Sequence, residues 1–374
     1  MGAMSRPTYN HHWRKGQMSR SRQRIRFLRT DDGVKLAWAE SGAGPVLVKA
    51  ANWMTHLEFE WESPVWQHWI RFFSDHFRYI RYDERGCGLT DWQVGELSLE
   101  QWSNDLARVI DAAHPEGPVS LLGISQGAAA CIAYAARHPE RVSRMVLYGG
   151  YARGAYHRGN PEAEREYRLI IEAIRVGWGK ENPSFRQLFT SRFIPGGTPE
   201  QLAWFNELCR RTTSAEVAAQ LLQMRARMDV VDLLDQVRAP TLVLHAREDD
   251  VVPFGEGRFL ASGIRDAQFV ELPSRNHVLL AGEPAWVRFQ EAVLEFFGSA
   301  HAGTGGADVF ASLSPREREI LILVTEGLGN GDIGERLAIS EKTVRNHISK
   351  IYDKLGVWTR AQAMVFARDH GFHG

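Results

Sequence analysis

The sequence has little that would hold a metal ion, a disulfide framework or a membrane anchor. Its three cysteines, Cys87, Cys131 and Cys209, lack the short spacing of metal ligands, and their odd number argues against a disulfide framework. No apolar run reaches membrane-spanning length and no signal peptide is visible. The formal net charge is zero, so no charged partner is indicated by the chain as a whole. These absences predict a cytoplasmic protein with no metal, no cofactor and no membrane partner.

The 374 residues divide into regions of different composition. Residues 1–24 begin with what reads as an expression remnant and continue as a polar arm rich in His and Arg, which we expect to be disordered. Residues 25–298 alternate strands with helices and are long enough for one well-buried core. Residues 299–311 are small and polar, as in a flexible linker. Residues 312–374 are predicted to form a second, all-helical domain.

The second domain has the helix order of a helix-turn-helix protein. Ser314 and Glu317 fit a capping box, with Pro315 at the first helical position. Four helices are predicted, starting near residues 315, 332, 341 and 359. Only three residues, 338–340, separate the second helix from the third, which is the short turn of that motif.

The third of these helices has an apolar face and a polar face. Its apolar face repeats at helical spacing, through Val344, Ile348, Ile351 and Leu355. The polar side chains are of types that reach phosphate oxygens and base edges: Lys342, Thr343, Arg345, Asn346, His347 and Lys350. A solvated amphipathic helix is the alternative interpretation. The order of the four helices favours binding to double-stranded DNA.

This second domain resembles the DNA-binding domain of LuxR/NarL-type regulators, through LSPREREIL, EGLGNGDI and LAISEKTVRNHISKIYDKLGV. The resemblance implies a four-helix module that binds a two-fold symmetric operator as a homodimer. By position in the family's motif, Thr343 would contact a phosphate, and Val344 and Arg345 would approach bases. Gly331 and Gly334 depart from the family pattern and are expected to loosen the second helix, since each glycine costs about 0.5–1 kcal/mol relative to alanine.

Within residues 25–298, the pentapeptide around Ser125 has the pattern GxSxG. It lies between a buried strand, VSLLGI, and a helix of small residues, which is the context of a nucleophile elbow. Such a serine needs a base and an orienting acid further along the chain. Asp249 is the predicted acid, with Asp250 as the alternative, and His277 is the predicted base. Each follows a predicted strand, at the edge where open α/β sheets bind their ligands.

Residues 25–298 as a whole resemble the α/β-hydrolase superfamily, through DERGCGLT, AARHPERVSRMVL and APTLVLHAREDDVVP. The resemblance implies an oxyanion hole formed by the backbone N–H groups of Gln126 and Trp53. The family's usual His-Gly is replaced here by Ala51-Asn52, so the second donor is expected to be aimed differently. It also implies that a helical insertion at about residues 151–237 forms a cap over Ser125. The residues predicted to line a ligand pocket beneath it are Asn52, Trp53, Trp178, Trp204 and Phe205.

The favoured interpretation is therefore an α/β-hydrolase-like sensor domain joined to a small all-α DNA-binding domain. It would be a transcriptional regulator that senses a small ester, lactone or hydrophobic molecule. The triad would either hydrolyse that molecule or only bind it. Two alternatives stay open. One is a carboxylesterase or lactonase whose tail serves dimerisation or tethering. The other is a DNA-binding protein with a ligand-free hydrolase fold, which a cavity filled by its own side chains would favour.

Overall fold

The computed structural model describes residues 23–298 except 96 and 115, residue 310, residues 313–369 except 356 and 358, and residue 372. The predicted arm lies outside the described residues up to residue 22, and so does the predicted linker apart from residue 310.

The first domain is built on one eight-stranded sheet with the order β1-β2-β4-β3-β5-β6-β7-β8. The strands are β1 Arg24–Arg29, β2 Lys35–Ser41, β3 Val46–Lys49, β4 Arg78–Tyr82, β5 Val119–Ile124, β6 Val142–Tyr148, β7 Thr241–Ala246 and β8 Gln268–Leu272. β2 is antiparallel to both of its neighbours, and all other neighbours are parallel. Every residue of β5 and of β7 is buried, because helices cover both faces of the sheet.

The helices that pack on this sheet follow the strands in alternation. They are α1 Leu57–Trp61, α2 Gln67–His76, α3 Leu99–Ala113 and α4 Gly127–Arg137 before the insertion, and α9 Phe254–Gly263 and α10 Pro284–Gly298 after it. The α/β fold predicted from the sequence is confirmed. Within the described residues, no helix combines the length and apolar composition needed to cross a lipid bilayer.

The insertion between β6 and β7 is helical, as predicted. Its helices are α5 Pro161–Gly177, α6 Ser184–Phe193, α7 Pro199–Thr212 and α8 Ala215–Arg227. α6 has no clear apolar stripe, so hydrophobic periodicity alone does not indicate this helix. Buried Arg186 of α6 instead donates to the carbonyl oxygens of Trp178 and Lys180, at 2.6 Å each. A buried guanidinium bonded to backbone oxygens therefore holds α6 in place alongside the apolar packing of Phe189.

The second domain contains the four predicted helices, α11 Pro315–Thr325, α12 Asn330–Arg336, α13 Glu341–Leu355 and α14 Arg360–Asp369. The predicted capping box is confirmed: Glu317 N–H donates to Ser314 Oγ at 3.3 Å, and Ser314 N–H donates to Glu317 Oε2 at 2.7 Å. Their apolar faces form a separate core that includes Ile320, Ile333 and Ile351. The small all-α domain predicted from the sequence is thus confirmed.

Candidate active site and DNA-binding surface

Ser125 lies in the sharp turn between β5 and α4. Its φ of 54° is in the left-handed region, which is unfavourable for a residue with a side chain. Ser125 N–H donates to the Tyr148 carbonyl at 2.9 Å, so the turn is tied to the end of β6. Strained backbone of this kind is concentrated at functional sites, and a nucleophile elbow has this geometry.

Asp249 and His277 are brought together by the loops after β7 and β8. Asp249 Oδ2 lies 2.6 Å from His277 Nδ1, and Oδ1 accepts from the backbone N–H groups of Val251 and Val252 at 2.8 and 2.9 Å. Burial on its own raises the pKa of Asp249, but His277 and these donors outweigh it, so the pKa lies below its ordinary value. The carboxylate is therefore ionised and His277 Nδ1 donates to it. Asp250, the alternative acid, is exposed.

The second ring nitrogen of His277, Nε2, makes no hydrogen bond within the described part of the chain. The His277 side chain is buried. Two glycines after β6 bring His277 close to the serine turn. A Cβ on Gly149 would lie 3.1 Å from His277 Cε1, and one on Gly150 would lie 3.5 Å from the Ser125 carbonyl oxygen. His277 and Asp249 thus lie at the same end of the sheet as Ser125, and among the described residues no hydrogen bond joins Ser125 Oγ to His277 Nε2.

The two predicted oxyanion donors lie on either side of the serine turn. Gln126 is the residue before α4, and Trp53 lies in the loop after β3; both are buried and both line the cavity at Ser125. In the described part of the chain, neither backbone N–H donates to another backbone oxygen. Asn52, which replaces the family's glycine, is anchored by a hydrogen bond from buried Lys49 at the end of β3. This bond holds the loop that differs from the family pattern in one conformation.

The cavity above Ser125 is small, about 30 Å³, and residues of the cap form much of its lining. Of the five residues predicted to line a pocket, only Trp53 lines this cavity. The three aromatic residues pack against other rings, with the distances given between ring centroids. Trp178 lies edge-on to Trp53 at 5.8 Å, and Trp204 stacks on Phe59 at 5.0 Å. Phe205 lies edge-on to Phe193 at 5.6 Å. Asn52 bonds to Lys49 instead. The prediction is corrected at these four residues, which serve packing and loop anchoring.

Sequence reasoning missed a charged pair beside this cavity. Arg225 of α8 lines it, and its Nη2 lies 2.8 and 2.6 Å from the two carboxylate oxygens of Glu84, in the loop after β4. Both side chains are 3% exposed. Burial raises the pKa of Glu84, and Arg225 opposes that shift. One signal was available: Arg225 follows Leu221 and Leu222 at helical spacing, so it falls on the buried face of α8.

The polar face of α13 is accessible in the second domain. Lys342, Arg345, Asn346 and Lys350 are exposed, and Thr343 and His347 are half-buried. Ser340 Oγ accepts from the Thr343 N–H at 3.1 Å and fixes the start of the helix. Val344, predicted to approach a base, is instead fully buried in the domain's core. The prediction for Val344 is therefore wrong, because its side chain is on the apolar stripe of α13.

A salt bridge holds α13 against α11. Lys354 Nζ lies 2.6 Å from Glu317 Oε2, and the Glu317 side chain is 5% exposed. The bond from Lys354, together with those from Ser314, lowers the pKa of Glu317 to about 2. Lys354 is therefore engaged within the domain. Near the start of α13, Arg345 Nη2 lies 3.7 Å from Glu341 Oε1 in an ion pair whose side chains are 64% and 56% exposed.

Two family profiles match the chain, one for each domain. The family described as "Serine aminopeptidase, S33" matches residues 67–285, more than half of the chain, and the family described as "Bacterial regulatory proteins, luxR family" matches residues 311–367.

Individual relatives divide in the same way. An AB hydrolase superfamily protein of Bacillus subtilis, YisY, is 25% identical over 67% of this chain and 91% of its own length. A hydrolase structure from Pseudomonas aeruginosa is 26% identical, with a TM-score of 0.61 over 73% of this chain and 98% of its own. The probable HTH-type transcriptional regulator GfsR of Streptomyces halstedii is 46% identical over 18% of this chain and 28% of its own length.

For the first domain, the profile match agrees with the sheet order and the serine turn. For the second domain, the profile match agrees with the four-helix core. This chain is therefore a member of the serine aminopeptidase S33 family, with an α/β-hydrolase domain followed by a LuxR-type DNA-binding domain.

Proposed function

We propose that this chain is a transcriptional regulator whose hydrolase domain binds a small acyl compound at Ser125 and so controls DNA binding by α13. One observation carries the proposal. A buried His277–Asp249 pair, 2.6 Å apart, lies beside a strained serine turn in the same chain as a DNA-binding domain. As in LuxR-type proteins, the DNA-bound form is proposed to be a homodimer on a two-fold symmetric operator. The chain would act in the cytoplasm, where its DNA target is.

In the proposed chemistry, Ser125 Oγ attacks the carbonyl carbon of an ester or lactone while His277 Nε2 takes the hydroxyl proton. Asp249 holds the protonated imidazole, and the N–H groups of Trp53 and Gln126 stabilise the negative oxygen of the tetrahedral intermediate. Collapse of this intermediate breaks the acyl–oxygen bond, and His277 returns the proton to the departing oxygen. Water then releases the acyl group from Ser125 by the same route.

Slow turnover or binding without turnover is favoured over rapid hydrolysis. A cavity of about 30 Å³ is far smaller than the roughly 300–1,000 Å³ of ordinary small-molecule sites, so residues of the cap must move to make room for a ligand. A ligand can shift the DNA-binding equilibrium only if it binds the two states of the chain with different free energies. Linkage then requires DNA to change the affinity for that ligand by the same factor.

A serine hydrolase that uses its second domain for dimerisation or tethering is the second candidate. The free Nε2 of His277 and the ionised Asp249 favour it, because both are needed for turnover. It predicts fast hydrolysis of a natural substrate and weak, unspecific DNA binding.

Labelling with a serine-directed fluorophosphonate tests both candidates. Wild type and Ser125→Ala are labelled with and without operator-length DNA taken from beside the chain's own gene. Labelling confined to wild type, with a rate that changes when DNA is added, supports the regulator. Labelling that is indifferent to DNA favours the enzyme. Labelling of Ser125→Ala, or no labelling of wild type, contradicts the role proposed for Ser125.

A further inference from the structure

Arg225 is fixed in place on three sides within the cap. Its guanidinium carbon lies 4.5 Å from the ring centre of Trp53 and 5.6 Å from that of Trp102, which places it in contact with two indole faces. Glu84 holds Nη2. A guanidinium held in this way cannot rotate to form hydrogen bonds with other groups. Its remaining donors therefore have a fixed orientation.

Those remaining donors have no partner. Within the described residues, Arg225 Nε and Nη1 are buried and make no hydrogen bond. An arginine has five N–H donors, so three of them, one on Nε and two on Nη1, are unsatisfied in a residue that is 3% exposed. Folded proteins leave few buried donors unpaired because each one is costly. An acceptor from outside the chain would satisfy them.

The lining of the cavity indicates the charge of that acceptor. Among the described residues, its lining includes Arg225 and Arg158 and no aspartate or glutamate side chain. Two further buried donors among the lining residues, Trp53 Nε1 and Gln126 Nε2, also lack partners. Glu84 balances the charge of Arg225, and Arg158 Nε lies 3.9 Å from Glu256 Oε1. The unpaired N–H donors of Arg225, Trp53 and Gln126 are what an oxygen-rich anion would satisfy. Because Ser125 lies in the same cavity, the anion and a reactive carbonyl would be parts of one molecule.

We propose that Arg225 is a specificity-determining residue that binds a carboxylate on the ligand, so that the hydrolase domain selects an acyl compound carrying a second, ionised carboxyl group. This inference rests on the proposed function only in taking the cavity at Ser125 as the ligand site. Charge-assisted bonds from Arg225 would orient the carboxylate, and the ester or lactone carbonyl at its other end would face Ser125. The corresponding neutral ester would leave the same donors unpaired and bind more weakly.

Calorimetry on the full-length Ser125→Ala variant tests the proposal without turnover. The probes are the monomethyl esters of succinate, glutarate and adipate, each compared with its dimethyl ester, so that one unsuitable chain length does not decide the result. We expect at least one monoester to bind about tenfold or more tightly than its diester. Equal affinities within all three pairs would overturn the proposal.

Variants assign that preference to Arg225. Glu84→Gln combined with Arg225→Gln removes both buried charges together, so that no unpaired charge is left in the core; the preference for the monoester should disappear. Arg225→Lys keeps the charge beside Glu84 but loses the guanidinium donors, and it should bind the monoester less tightly than the parent. Arg227→Gln, at an exposed position on the same helix, is the matched control and should keep the preference. An unchanged preference in both Arg225 variants would refute the assignment.

The calorimetry and the labelling of Ser125 fail independently. A monoester preference without fluorophosphonate labelling of wild type would support this site and contradict the role proposed for Ser125. Labelling without any monoester preference would support Ser125 and overturn the carboxylate site.

Discussion

Substituting Gly149 with alanine should slow the reaction of Ser125 while leaving the domain folded. Gly149 has a φ of 56°, and a Cβ there would lie 3.1 Å from His277 Cε1 and 3.4 Å from Nδ1. The left-handed conformation costs an alanine about 1–2 kcal/mol. Carbon atoms pack best at about 3.5–4.0 Å, so the imidazole must shift by several tenths of an ångström. Because a displacement of roughly 1 Å costs about a hundredfold in rate, we expect fluorophosphonate labelling to slow by about tenfold.

A second glycine separates the two effects of this substitution. Gly159 has a φ of 66°, and a Cβ there would meet no atom within 4 Å. Gly159→Ala therefore introduces the same kind of backbone strain without touching His277. Thermal unfolding should show a similar loss of stability in the two variants, whereas only Gly149→Ala should label slowly. Equal labelling rates for both variants would refute the inference that Gly149 exists to make room for the imidazole.

Two further predictions concern the DNA-binding domain. Arg345→Ala should weaken operator binding by about 1–3 kcal/mol and relax the base preference at one position of the operator. Fluorescence anisotropy over a range of salt concentrations measures both effects. If affinity instead falls equally for all DNA sequences and depends less on salt, Arg345 contacts a phosphate and not a base. Glu317→Gln should destabilise the domain at neutral pH by roughly 1–2 kcal/mol, since it loses the bond to Lys354. Because the pKa of Glu317 falls from 4.5 to about 2 on folding, this contribution is complete above pH 4.5 and is lost as the pH falls towards 2. Hydrogen exchange of the α11 and α13 amides measures this loss of stability. Glu319→Gln is the control, because the Glu319 side chain is 55% exposed. An equal loss of stability in both variants at neutral pH would contradict the role of the Glu317–Lys354 bond.

Local signals were sufficient to predict most of the fold from the sequence. A fully apolar strand, a GxSxG turn and a helix of small residues lie next to one another around Ser125, so each supports the others. The helix caps at Ser314 and Ser340 are equally local. The apolar run VLVKAA, residues 46–51, favours a strand two residues longer than β3, because the chain leaves the sheet after Lys49 to form the loop that carries Trp53.

Features that depend on distant partners were not predictable in this way. Glu84 and Arg225 are separated by 141 positions, and nothing near either residue indicates the other. Aromatic residues of the cap posed a related problem: Trp178, Trp204 and Phe205 have the composition of a binding site, but whether such rings face a ligand or each other is decided by tertiary packing. For Val344, the helical spacing and the family's motif gave conflicting answers, and the spacing was correct because it reports directly on the core.

Gly334 shows how a departure from a family pattern can be misread. We expected it to loosen α12, yet it is buried, and a Cβ there would lie 2.8 Å from the Ile339 carbonyl oxygen. The turn after α12 contains Ala338 at a φ of 55°, and it brings that carbonyl against the helix, where Ile339 N–H also bonds to the Gly334 oxygen at 3.0 Å. An alanine at position 334 would gain helix propensity but push this turn outward. Since the turn sets where α13 begins, the glycine helps to position the helix proposed to meet DNA.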